Sequence, residues 1–509
     1  MPLSRATRAY PFACALGALS AFGFAPFALW PLTVLCLAIL LGLIVRAETK
    51  PRAFGLAWWF GLGQFVVGLN WIATAFTFQA AMPAWLGWVA VVLLSLYLAL
   101  FPALGFLVAW LLSRGRSRST LVLLSGALWI ASEWLRATAF TGFAWNPLGV
   151  IWMAVPGVPA VAPLIGTYAL SGLTILFAGF VMRLGEGAQG PDARRDLGWI
   201  AVPLLSVLVA AAIHLVLRGP AGPDGPLLRV VQPNINQNEK WEEGAEYRNF
   251  ARLARLTGHP GTEPRLILWP EVAVPWYLDE DETARAAIAD LLGPHDLLLA
   301  GAIHFNYDRD HNPLTATNSL FGMDARGRLL GRYDKSHLVP YGEYLPMRPI
   351  LSRLGLSRLA PGAMDFAPGP GPRDIVLPGL GAVGGQICYE IIFSGHVIDR
   401  RNRPRFLFNP SNDAWFGRWG PPQHLAQARL RAAEEGMPIV RSTPTGISAV
   451  IDADGQLLAS LPWHTAGAID ARLPGVRAAT PFARVGNGIA AAIAVLLTLM
   501  AFATDRRRR

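Results

Sequence analysis

The sequence predicts a multi-pass α-helical membrane domain of about eight spans joined to an α/β layered domain. Three observations carry that expectation. Nearly all the long apolar runs fall in residues 1–218. Charged residues make up only 15% of the 509-residue chain, against ~25% in an ordinary soluble protein. From Leu227 onward the pattern changes to short apolar runs, broken by turn residues and alternating with helical periodicity. Strands and helices that alternate in this way layer into an α/β domain.

A helix needs ~20 apolar residues to cross the hydrocarbon of a bilayer. Candidate spans cover about 10–28, 29–45, 53–76, 84–112, 120–139, 158–182, 197–217 and 486–503. Pro26 and Pro31 crowd the first junction, so a tight turn and a re-entrant pair both stay open there. Residues 1–28 do not read as a cleaved signal peptide, because another apolar run follows at once. The loops sort by charge. Arg5 and Arg8 precede the first span, Arg46, Lys50 and Arg52 follow the second, Arg114, Arg116 and Arg118 follow the fourth, and Arg183, Arg194 and Arg195 follow the sixth. The intervening loops, Thr77–Pro83 and Thr141–Gly157, hold no Lys or Arg. The positive-inside rule then places both termini and the basic loops in the cytoplasm.

The layered domain follows the seventh span and falls on the opposite side, the periplasm of a bacterial inner membrane. The expected boundaries are 1–218 for the membrane domain, 219–484 for the periplasmic domain and 485–509 for the last span with its basic tail. The net charge of +10 sits largely in short loops beside spans and in that tail. This favours a membrane surface over nucleic acid. Glu133 and Arg136 share the fifth span at helical spacing and read as a local pair, whereas a transporter would carry more intramembrane charge. Cys14 and Cys36 fall in apolar spans as packing residues, and three cysteines indicate no disulfide framework.

Within the layered domain, Leu227–Val231, Leu266–Trp269, Leu297–Ile303, Ser319–Met323, Gly381–Ile387, Phe406–Phe408 and Ile439–Arg441 read as strands. Several are continuous apolar runs, as for strands covered on both faces. Ala245–Thr257, Glu282–Leu292 and Gln423–Glu435 read as helices. Asp452–Gly455 reads as a turn between two late strands. Gly219–Pro226 is a linker and Ala360–Pro372 an irregular loop.

Three residues in this domain have the chemistry of acyl transfer: a thiol, a base and a cation. Cys388, the only cysteine after Cys36, ends an apolar run behind Gly384 and Gly385; it is either a buried structural cysteine or a nucleophile. Glu271, in Leu268-Trp269-Pro270-Glu271, is either a surface carboxylate or a base. Lys335, in Tyr333-Asp334-Lys335-Ser336-His337, is either solvated or a fixed cation that lowers a thiol pKa and meets an oxyanion. His337 is a rival base for a Cys–His arrangement. Paired metal ligands, HExxH, CxxC and a glycine-rich phosphate loop are all absent, so no metal or cofactor is expected.

The ordered set Trp-Pro-Glu271, Tyr-Asp-Lys335-Ser-His, Pro-Tyr-Gly-Glu343-Tyr-Leu-Pro and Ile-Cys388-Tyr389-Glu390 resembles the nitrilase, or carbon–nitrogen hydrolase, superfamily. That resemblance implies an αββα sandwich with a Glu-Lys-Cys triad. With the domain set between the last two of about eight spans, the whole chain resembles the apolipoprotein N-acyltransferase family. The resemblance makes Glu271 the general base, Cys388 the nucleophile and Lys335 the group that stabilises the tetrahedral intermediate. Glu343 becomes a supporting carboxylate, Tyr389 and Glu390 match positions needed for activity, and Trp241 matches a tryptophan on an arm near the site. It further implies a phospholipid donor, typically phosphatidylethanolamine, a diacylated apolipoprotein acceptor, a thioester intermediate, ping-pong kinetics and a monomer. Trp415, Phe416 and Trp419 read equally as an acyl-binding rim or as core. Two other readings stay in view. A membrane-tethered amidase acting on a small amide needs only one anchor, and a transporter with an outer binding domain needs no nucleophile.

Overall fold

The computed structural model describes residues 5–78, 82–187, 191–242, 244–355, 357–359 and 364–506. Residues 507–509 of the basic tail, 79–81 of the third inter-span loop and 360–363 of the Pro-Gly loop lie outside them. The chain divides into two compact units. One comprises Met1–Asn70, Trp88–Gly219 and Ala479–Arg509, and the other Trp71–Gly87 and Pro220–Ala478.

The first unit is helical. Helices run over Arg5–Ser20, Trp30–Val45, Lys50–Gly68, Leu86–Leu98, Leu100–Ser113, Arg118–Thr138, Ala162–Gly185, Pro191–Leu217 and Gly488–Arg506. Among the described residues, three stretches are long and apolar enough to cross a membrane: Leu86–Ser113, Val158–Gly185 and Arg194–Leu217. Counting the broken pair Lys50–Gly68 and Ile72–Phe78 as one span gives up to four. Ala9–Gly23, Trp30–Val45 and Gly488–Thr504 are apolar but shorter. The apolar window of Val158–Gly185 is 78% buried and that of Arg194–Leu217 only 11%. The first is therefore surrounded by protein, while the second keeps an apolar surface that lipid would cover. A Cβ on Gly172 would lie 2.5 Å from Ile130 Cγ1, so glycine lets these two helices approach closely.

Glu133 and Arg136 are electrostatic neighbours, as expected of a local pair, but their bonds reach further. Both are buried, and each ties helix Arg118–Thr138 to the segment that follows it. Glu133 Oε1 accepts from Trp129 Nε1 (2.8 Å) and from the Leu148 amide (2.7 Å). Arg136 donates to the carbonyls of Phe143 and Trp145. Saturating backbone groups in this way answers the cost of leaving them unbonded in an apolar medium.

The second unit is an αββα sandwich. One six-stranded sheet uses β1 (Leu227–Gln232), β2 (Arg265–Leu268), β3 (Leu297–Tyr307), β4 (Pro313–Asp324), β5 (Leu329–Asp334) and β12 (Gly467–Arg472), in the order β12-β1-β2-β3-β4-β5. The other uses β6 (Asp374–Leu377), β7 (Gly381–Gly385), β8 (Phe406–Pro410), β9 (Ile439–Ser442), β10 (Ala449–Ile451) and β11 (Leu457–Ser460), in the order β11-β10-β9-β8-β7-β6. The central pairings β1–β2–β3 and β7–β8–β9 are parallel. That explains the continuous apolar runs Leu266–Leu268 and Phe406–Phe408, since both faces are covered. Helices Ala245–Thr257 and Glu282–Ala289 lie with the first sheet, where Leu253 and Ile288 join Ile267, Trp269 and Phe321 in one core. Helix Gly420–Glu435 lies beside β9 in the second.

The sheets face each other directly. Ser442 Oγ donates to the Val231 carbonyl at 2.8 Å, and a Cβ on Gly385 would fall 2.5 Å from the Tyr333 ring. The strands that sequence reading did not find are β5, β6 and β12. Trp71 lies edge-on to Phe416 (4.9 Å) and Phe78 edge-on to Trp415 (5.6 Å) within this unit.

Candidate active site

Carboxyl ends of parallel strands are where an open α/β sheet presents its chemistry, and both sheets contribute here. Glu271 follows β2 by three residues. Its turn is tight: Val272 holds a positive φ of 46°, a rare state for a β-branched residue. The Ala273 and Val274 amides both bond the Gly301 carbonyl, and a Cβ on Gly301 would fall 2.6 Å from the Val272 nitrogen. Lys335 directly follows β5, its amide bonded to the Asn318 carbonyl of β4 at 2.9 Å. Cys388 lies three residues past β7 and opens a short 3-10 turn, Cys388–Ile392. Its φ of 52° is left-handed. A non-glycine residue held there costs roughly 1–3 kcal/mol, and such strain collects at functional sites.

Lys335 Nζ lies 2.9 Å from Glu343 Oε1 and 3.6 Å from Glu271 Oε1. Asn318 Nδ2 bridges the two carboxylates, at 2.7 Å to Glu271 and 3.1 Å to Glu343. The Asn412 amide donates to Glu271 Oε2 (2.6 Å) and the Val339 amide to Glu343 Oε2 (2.8 Å). All four ionisable members are buried, with Lys335 at 1% exposure and Cys388 at 4%. Burial alone would discharge Lys335, but the Glu343 and Glu271 carboxylates outweigh it and raise its pKa. The Cys388 thiol is within electrostatic reach of Glu271, Lys335 and Asp413, and bonds Ser411. Burial first, then the Glu271 charge, push its pKa up against the pull of Lys335. The resting group is therefore a thiol that needs a base, not a preformed thiolate.

Glu390 ties the cysteine turn to the lysine loop. It accepts from Tyr333 Oη, the Ser336 amide and hydroxyl, and the amides of His337 and Ile387. Tyr389 is buried beside Phe393 and His337. The His337 ring stacks on Phe393, centroids 3.9 Å apart, so this rival base is engaged by aromatics. Trp241 closes the 3-10 turn Glu239–Trp241. That turn carries Lys240, whose Nζ is 3.4 Å from the Glu271 carbonyl, and burial lowers the Lys240 pKa to about 8. Phe416 belongs to the core, while Trp415 and Trp419 are half-buried. Among the described residues no group of three His, Cys, Asp or Glu has the arrangement to hold a metal.

Sequence reading missed Asn318, Asn412 and the buried set Asp413, His424 and Arg441. The available signal was a polar side chain inside a strand or just past its end, as in Thr317-Asn318-Ser319 on β4 and Ser411-Asn412-Asp413 after β8.

The sandwich and its acid-lysine-thiol cluster define the class: residues 227–481 match the carbon–nitrogen hydrolase family. Residues 16–180 match the apolipoprotein N-acyltransferase N-terminal domain. An apolipoprotein N-acyltransferase from Bradyrhizobium diazoefficiens is 38% identical over 95% of this chain and 93% of its own length. One from Brucella melitensis is 36% identical over 90% of this chain and 87% of its own. Among solved structures, Saccharomyces cerevisiae Nit3, a nitrilase-superfamily member, is 18% identical over 50% of this chain and 93% of its own, with a TM-score of 0.36. The chain belongs to the apolipoprotein N-acyltransferase family.

Proposed function

We propose that this protein transfers a fatty acyl chain from a membrane phospholipid, through a thioester on Cys388, to the N-terminal amine of a diacylglyceryl-cysteine in apolipoproteins. The observation that carries this reading is the buried Lys335 ammonium between the Glu271 and Glu343 carboxylates, in the electrostatic neighbourhood of a strained, buried thiol.

Glu271 takes the Cys388 proton as sulfur attacks the ester carbonyl carbon. The oxyanion that forms is stabilised by the Lys335 ammonium, a charge already in place before the reaction starts. Collapse breaks the ester C–O bond, and Glu271 returns the proton to the departing lysophospholipid oxygen. The acceptor amine then attacks the thioester, gives a proton to Glu271 and forms the amide, and sulfur leaves and regains its proton. Glu343 holds Lys335 charged and in place, Glu390 fixes the cysteine turn, and Tyr389 and Trp241 are supporting residues, as the family resemblance implies. Two half-reactions on one thiol make the kinetics ping-pong.

The membrane frame of this reading has about eight spans, residues 1–218 and 485–509, around a catalytic domain of residues 219–484. Its termini are cytoplasmic and its catalytic domain periplasmic, on the bacterial inner membrane. Charge alternation between loops supports that orientation. The donor is phosphatidylethanolamine and the working unit a monomer. The test uses the purified full chain, phosphatidylethanolamine and a synthetic diacylated lipopeptide. An N-acylated lipopeptide and an equal amount of lysophospholipid are expected. Free fatty acid without acylated peptide would instead support a tethered hydrolase.

A further inference from the structure

Beneath Cys388 lies a fully buried set of polar groups for which the acyl-transfer steps above have no use. Asp413, His424, Arg441 and Asn409 are each 0% exposed. His424 Nε2 is 3.1 Å from the Cys388 carbonyl oxygen. Asn409 Nδ2 donates to the same oxygen at 3.3 Å and to the Gln386 carbonyl. Arg441 joins both branches: one guanidinium nitrogen bonds Asn409 Oδ1, and the other lies 3.0 Å from His424 Nδ1 and 2.6 Å from Asp413 Oδ2. That second nitrogen also donates to Ser411 Oγ, the hydroxyl that bonds the Cys388 thiol.

We propose that His424 and Asn409, held by Arg441 and Asp413, are positioning residues that fix the Cys388–Tyr389 peptide and so aim the nucleophile. This rests on the nucleophile reading of Cys388. A residue at φ 52° keeps that conformation only if its surroundings over-determine it. Here two side-chain donors converge on its carbonyl. The only cis peptide among the described residues is Ala25–Pro26, so the Cys388–Tyr389 peptide is trans. In a trans peptide the C=O and N–H point opposite ways, so pinning the Cys388 oxygen also fixes the direction of the Tyr389 N–H.

Proton placement agrees. The Cys388 carbonyl can only accept, so Nε2 of His424 carries the hydrogen it receives, while Nδ1 lies between the Arg441 guanidinium (3.0 Å) and Asp413 Oδ1 (3.1 Å). Burial and the Arg441 charge keep the imidazole neutral, with its pKa lowered to about 4. Asp413 matches the buried guanidinium charge, and removing one partner of such a pair leaves an uncompensated buried charge. The network is therefore built to hold a direction.

Two amide substitutions separate positioning from packing. His424→Gln puts an N–H near Nε2 and can still hold the Cys388 carbonyl. His424→Asn reaches only the Nδ1 position and leaves that carbonyl without its first donor. Both are measured in the full chain with phosphatidylethanolamine vesicles, following acyl adduct on Cys388 and steady-state transfer to a diacylated lipopeptide, with Cys388→Ser in parallel. The expected result is a fall of about 30–100-fold in kcat for His424→Asn with KM within about twofold. His424→Gln should stay within about fivefold of wild type. Equal activity of the two variants, or equal loss with equal loss of thermal stability, overturns the proposal. Wild-type acylation in His424→Asn beside an inactive Cys388→Ser overturns it alone. Turnover in Cys388→Ser overturns the nucleophile reading and this inference with it.

Discussion

The two sheets supply opposite halves of the site. The first sheet brings charge into direct contact: Glu271 after β2, Lys335 after β5 and Glu343 beyond it, stitched by Asn318 of β4. The second sheet brings the thiol after β7, and there the charges stand back. Arg441 and Asp413 neutralise each other, and only neutral His424 and Asn409 touch the cysteine backbone. One half supplies electrostatics and the other direction. The difference teaches that a thiol flanked by an ammonium need not be a thiolate at rest. Burial and the Glu271 charge outweigh one lysine, and in the proposed mechanism the proton leaves only as the nucleophile attacks.

Variants that break either half should rank accordingly. Cys388→Ser removes the proposed nucleophile and should cut transfer by at least about 10⁴-fold, with insertion and melting behaviour kept; lysophospholipid release measures it. On the charge side, Lys335→Met should lower kcat by about 10²–10³-fold, the usual cost of one oxyanion donor. Lys335→Arg should also fail, because a planar fork does not replace a compact ammonium. Glu343→Gln leaves the ammonium one carboxylate and should lose about 10–100-fold, read as kcat at saturating lipid.

The directional half should respond most visibly in pH. His424 has a folded pKa lowered to about 4 against ~6.5 unfolded. Between those values the unfolded chain binds the extra proton, so stability rises with pH. At pH 5 the linkage costs wild type about 2 kcal/mol relative to pH 7. His424→Gln should lose correspondingly less on acidification. Parallel melting curves at pH 5 and 7 that shift equally in both proteins would contradict this.

How much was legible in sequence follows the same division. Strands covered on both faces, such as Leu266–Leu268 and Phe406–Phe408, announce themselves as apolar runs. The strands that escaped, β5, β6 and β12, are all sheet edges, where one side meets no partner and the residues stay mixed, as in Leu-Leu-Gly-Arg-Tyr-Asp. Glu271, Lys335 and Cys388 could be named because their motifs resemble those of a family. Local chemistry alone left each of them ambiguous. Asp413, His424 and Arg441 were illegible for a different reason. Sequence separations of 11–28 residues hide a three-body network, and any one of its members alone reads as a solvated polar residue. In the helical unit, helix Arg118–Thr138 carries Glu133 and Arg136 inward, so its hydropathy understates its burial.

The most direct test exposes the full-length protein to phosphatidylethanolamine without acceptor and weighs the peptide containing Cys388. The account predicts one fatty-acyl mass on that peptide, released by neutral hydroxylamine, passed to an added diacylated lipopeptide and missing from Cys388→Ser. An unmodified Cys388 peptide in protein that still transfers acyl chains would contradict it.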